Sequence, residues 1–92
     1  MRIRWTEPSA RDLTHICEYI EERDGPAAAR RVALTLHRGV GSLAQFPHRG
    51  RPGRKVDTRE LVFPGLPFLA VYRIRAEVIE ITRILHGAQK WP

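Results

Sequence analysis

From Thr6 to Gln45 the chain carries helical periodicity with one interruption, the triplet Asp24-Gly25-Pro26. Glycine closes a helix because it adopts backbone angles that other residues avoid. Proline opens one because its missing N–H falls where no intrahelical partner exists. The triplet therefore predicts two helices joined by a turn so short that they must run antiparallel, a helical hairpin. Each helix has an apolar stripe to bury, and the rest of the chain must supply the surface that takes it.

In the first helix Thr6 is the predicted cap, with Glu7, Pro8 and Ser9 in the first turn. Ala10, Leu13, Ile16, Cys17 and Ile20 recur at helical spacing, while Arg11, Asp12, Glu18, Glu21 and Glu22 lie mainly off that stripe. The second helix, from Pro26 to about Gln45, puts Ala29, Val32, Leu36, Val40 and Leu43 on one face. Gly39 and Gly41 weaken it by roughly 1 kcal/mol each relative to alanine; close helix packing or a kink would account for them. Residues 3–5 suit a first strand. Residues 47–58 have no periodicity and many breakers, and read as a loop. Residues 59–63, 68–75 and 77–86 read as strands, the last two joined by a tight turn at Arg75, Ala76 and Glu77 and so paired antiparallel. The order β-α-α-β-β-β predicts a single α+β domain over 1–92, its hairpin packed on one face of a mostly antiparallel sheet.

The net charge of +6 favours an anionic partner, nucleic acid or an acidic protein. Pro64, Gly65 and Pro67 break the best apolar run, so no membrane span is expected. The N-terminus has no apolar signal region, and the single cysteine, Cys17, forms no internal disulfide; a reducing cytoplasm is the expected location. No Cys/His spacing suggests zinc and no glycine-rich phosphate loop follows a strand, so no metal or cofactor is expected.

Four stretches, "WTEPSARDL" at 5–13, "TREL" at 58–61, "VYR" at 71–73 and "RILHGAQ" at 83–89, together resemble the RelE/ParE superfamily of toxins from type II toxin–antitoxin systems. The resemblance covers nearly the whole chain. It implies a small α+β toxin neutralised in a hetero-oligomer by a cognate antitoxin, whose C-terminal segment covers the working surface. RelE-like members cut mRNA on the ribosome without metal; ParE-like members poison DNA gyrase and cut no RNA. Fold alone does not choose between them.

Metal-independent RNA cleavage needs a base, an acid and cations around the phosphorane. His86, Arg83, Arg59 and Glu60 are the candidates if the protein is an endoribonuclease, with Arg54 and Lys55 as further cations. Two departures argue against an enzyme. Ribonuclease relatives carry an arginine just after the aromatic residue that starts the penultimate strand, and here the pair is Phe68-Leu69. They also place a stacking aromatic near the C-terminus, where this chain has Trp91 followed by Pro92. The pattern looks more like the ParE-like branch, with a degenerate binding module as a further alternative. Arg49, Arg51, Arg54, Lys55, Gln89 and Trp91 are the expected contacts with a target or nucleic acid, Gly50 and Gly53 allowing close backbone approach. Strand alternation separates Arg83 from His86 unless a bulge intervenes, and an ion pair with Glu60 or Glu80 is the expected structural role of Arg83. Trp5, Trp91 and Tyr72 are expected to pack in or at the edge of the core.

Overall fold

A computed structural model describes residues 1–87. Strand β1 (Arg2–Trp5) leads into α1 (Glu7–Asp24) through Thr6, whose hydroxyl oxygen accepts the Ser9 N–H at 3.3 Å. Ser9, fully buried, returns a hydrogen bond to the Thr6 carbonyl at 2.8 Å, so the buried hydroxyl is satisfied. Gly25 ends α1 at φ +92°, a left-handed angle that favours glycine, and its N–H closes on Glu21 at 2.9 Å. Pro26 then starts α2 (Pro26–Gly41), completing the hairpin. The second helix is shorter than its apolar pattern: it tightens at Ser42–Ala44 into a 3₁₀ turn, which still carries Leu43 into the core.

Four more strands follow: β2 (Arg51–Pro52), β3 (Arg59–Val62), β4 (Phe68–Arg75) and β5 (Val78–His86). The sheet order is β1-β5-β4-β3-β2, parallel between β1 and β5 and antiparallel elsewhere. The β4–β5 turn passes through Ala76 at φ +53°. The loop expected over 47–58 is corrected in one respect, because β2 lies inside it. Two residues make a strand only because β3 is there to pair with them, which no local pattern announces.

The core lies between α2 and the sheet. Leu36, Val40 and Leu43 meet Leu61, Phe63, Ala70, Tyr72, Ile79, Ile81 and Ile84. Gly39 is explained by neither a kink nor helix packing: a Cβ there would stand 2.5 Å from the Phe63 ring, so the glycine makes room for that side chain. The α1 stripe is less well seated. Leu13, Ile16, Cys17 and Ile20 are half-buried and Ala10 is exposed. Trp5 packs against the core, its ring 5.4 Å from that of His37. On the far face Arg73 and Arg4 both hydrogen-bond Glu80 and hold its carboxyl below the usual carboxylate range. Among the described residues no helix is long and apolar enough to cross a membrane.

Candidate functional site

The last strand decides how the C-terminal candidates are aimed. Val71 faces Arg83 while Tyr72 faces Ile81, so Thr82 is an extra residue and β5 carries a bulge. The bulge reverses the alternation. Ile84 joins Ile79 and Ile81 in the core, and Leu85 turns to the opposite face with Leu69 and Val71. His86 thus falls on the helix side, beside Phe68, whose ring it meets edge-on at 5.8 Å. Gly87 ties the strand end by donating its N–H to the Pro67 carbonyl at 2.7 Å.

Arg83 forms an ion pair, but with Asp12 of α1 in place of the expected Glu60 or Glu80. Its Nε and Nη2 donate to the two carboxylate oxygens at 2.7 and 2.9 Å, and the Ile84 N–H adds a third bond at 2.9 Å. This fork geometry raises the guanidinium's already high pKa and fastens α1 to β5. Arg83 is the register partner of Val71, on the face opposite Ile84 and His86, so the bulge does not bring Arg83 and His86 together: His86 lines an open groove, and Arg83 is held by Asp12 of α1.

Arg59 and Glu60 are consecutive and point to opposite faces of β3. Arg59 turns inward and donates to the Gly50 carbonyl at 2.7 Å and the His48 carbonyl at 3.4 Å. Glu60 is only 3% exposed, and accepts from Arg51 at 3.3 Å and from the Arg54 N–H at 3.2 Å. Tyr72, buried as expected, uses its hydroxyl to pin the same loop, accepting from the Gly50 N–H at 2.9 Å and donating to the Pro47 carbonyl at 2.8 Å. Burial pushes that phenol above its ordinary pKa, against the Gly50 bond and nearby Arg59. The close approach at Gly50 and Gly53 is to the chain itself: a Cβ would strike the Tyr72 hydroxyl at one and Thr58 at the other. Arg49, Arg51, Arg54 and Lys55 are all exposed on this anchored segment. Gln89 and Trp91 lie outside the described residues.

One surface had no single residue to announce it. Between the hairpin and the ends of β4 and β5 runs a groove of about 790 Å³. Ile16, Tyr19 and Ile20 of α1, Val32 of α2, and Leu66, Phe68 and His86 line it, with Arg23 and Arg31 at its margin. Tyr19 stays 59% exposed. The sequence carried the signal in diluted form, as an α1 stripe with more apolar residues than one small sheet could cover. Cys17, half-buried, has its thiol pKa raised by burial and then by Glu21, in keeping with an unreactive packed thiol.

Comparison with known proteins fits this architecture. Residues 3–91 match the family described as the ParE toxin of the type II toxin–antitoxin system parDE. A Sinorhizobium fredii protein named "Putative toxin Y4kP" is 46% identical over 91 residues, covering 99% of this chain and 93% of its own. "Toxin RelE2" of Caulobacter vibrioides is 35% identical over 88 residues, covering 96% and 97%. A solved chain described as the chromosomal ParDE TA system from P. aeruginosa superimposes with a TM-score of 0.88 at 30% identity, over 94% of this chain and 95% of that one. The hairpin on its mixed sheet, the matched span and these relatives agree: the chain belongs to the ParE family of toxins of type II toxin–antitoxin systems.

Proposed function

We propose that the protein arrests growth in the cytoplasm by poisoning DNA gyrase without chemistry of its own, and that a cognate antitoxin silences it by laying an amphipathic helix in the hairpin groove. The observation that carries the first half is how the candidate catalytic groups are employed. Arg83 is locked by Asp12, Arg59 holds loop carbonyls, and Glu60 is buried beneath Arg51. Leu69, where ribonuclease relatives have arginine, is 3% exposed and packed with Val71 and Leu85. An acid, a base and a phosphate clamp are not assembled around one point by these residues. The groove supports the second half, since half-buried Ile16, Ile20 and Val32 suit helix anchors at i, i+3 and i+4.

The alternative is a ribosome-dependent mRNA interferase. It draws on the exposed His86 beside Phe68, and on the relative named RelE2. A paired assay separates them. The purified protein should inhibit gyrase supercoiling and leave mRNA on translating ribosomes intact. Cleaved mRNA with normal supercoiling would establish the alternative.

A further inference from the structure

The most exposed large apolar side chains are not spread evenly over the surface. Among the described residues Val56 is 89% exposed, Phe46 61% and Val62 55%, and all three fall between the end of the hairpin and the end of β3; Tyr19, at 59%, belongs to the groove. None of the groove-lining residues comes from this segment, so it is a separate surface. Arg49 joins Phe46 to Val62. It lines one shallow depression with Phe46 and Pro47, and a second with Arg51, Val62 and Pro64.

Exposed apolar groups on a mobile loop would mean little, but these are held in place. The Arg49 N–H closes on the Phe46 carbonyl at 3.1 Å, and its guanidinium donates to the Ser42 hydroxyl at 2.9 Å. The bonds from Tyr72, Arg59 and Glu60 fix the backbone on either side. A buried carboxylate is costly unless it is satisfied, and Glu60 is satisfied by the loop whose shape it sets. The result is a pre-organised aromatic and aliphatic surface ringed by arginines, the composition of protein-binding hot spots.

We propose that this face, centred on Phe46 with Arg49 at its rim, is where the toxin docks on its protein target, filling an apolar recess bordered by acidic residues. Charge decides the kind of partner. Residues 46–62 hold five Lys and Arg against two carboxylates, so the complementary surface is acidic. A phosphate track would turn its cations outward in a row. Here Arg51 and Arg54 lean on Glu60, and Arg59 points in to the loop's own carbonyls. The face suits a protein better than a nucleic acid.

This inference rests on the reading of the chain as a toxin with a protein target, and the test keeps the two apart. Phe46→Glu changes an exposed side chain and should melt with the wild type, Arg49→Glu should melt slightly lower because it also gives up the Ser42 bond, and both should bind the antitoxin from the adjacent reading frame unchanged. Affinity for purified gyrase should fall by about tenfold or more, with a matching rise in the expression needed for growth arrest. Folded variants that bind gyrase and arrest growth like the wild type would overturn the docking face and leave the gyrase reading standing. Wild type that arrests growth without binding gyrase would remove gyrase as the target; arrest lost in Phe46→Glu would still support the face, and arrest retained would refute it. Binding of a short RNA with steep salt dependence, lost in Arg49→Glu, would overturn the proposal in favour of nucleic acid.

Discussion

Helix α1 and the segment between Phe46 and Arg59 reverse the usual relation between regularity and completeness. The helix is long, well capped and periodic, yet Ser9 is its one fully seated residue and its apolar stripe stays half in water. The segment has almost no regular structure, yet Tyr72, Arg59 and Glu60 tie it at Pro47, His48, Gly50 and Arg54. Backbone periodicity is settled locally, whereas burial is settled by what lies opposite. An amphipathic helix with too little opposite it is a site for a partner. An irregular segment with every turn anchored is a rigid platform, which loses little freedom on binding.

Substitutions in the two helices of the hairpin give the largest expected contrast. Leu36, fully buried, should cost about 2–5 kcal/mol when cut to alanine, and lower the melting temperature of the isolated toxin. Ile20→Ala, at a half-buried groove position, should cost only about 1 kcal/mol in the isolated toxin, yet weaken the antitoxin complex by roughly tenfold. Thermal melts beside antitoxin titrations measure both. Equal losses of stability would mean that α1 is as well seated as α2, and the comparison would break.

The anchored segment can be loosened one bond at a time. Tyr72→Phe keeps the buried ring and removes the hydroxyl, leaving the Gly50 N–H and the Pro47 carbonyl without it. The expected cost is about 1–3 kcal/mol, and hydrogen exchange should speed up at Gly50 while α2 amides keep their protection. Unchanged exchange at Gly50 would show that Arg59 and Glu60 hold the loop without the Tyr72 hydroxyl. Asp12→Ala is the matching change for α1. It releases Arg83 and the Ile84 N–H, for a loss of about 1–3 kcal/mol, and should weaken protection at the end of β5.

Much of this fold is written in local pattern. Asp24-Gly25-Pro26 gives the hairpin, and alternation with the turn at Ala76 gives β4 and β5 within a residue of their ends. What escaped depends on distant partners. The Thr82 bulge exists only relative to Val71 and Tyr72 on the neighbouring strand. Asp12 and Arg83 are 71 residues apart, and nothing near either names the other. The short strand at Arg51 needs β3 for its pairing and Glu60 for its salt bridge. The candidate residues were likewise visible as types but not as commitments. Arg59, Glu60 and Arg83 are chemically suited to RNA cleavage, and three-dimensional pairing assigns them structural work that spacing does not reveal.

The smallest expected stability change separates the groove from the chemistry. His86 is exposed at the end of β5, touching Phe68 edge-on, so His86→Ala should alter stability by no more than about 0.5 kcal/mol. Its consequences for function differ sharply between the two readings. If the groove serves only the antitoxin, the variant should arrest growth like the wild type, and its antitoxin affinity should shift by a few-fold because His86 lines the groove. If His86 is the acid or base of an interferase, arrest should be lost, and with it the cleavage of mRNA on translating ribosomes. Growth arrest and antitoxin binding measured on one folded variant therefore decide whether the end of β5 is a wall of the antitoxin groove or a reacting centre. Lost arrest together with lost mRNA cleavage would move the working surface from the anchored segment to the groove.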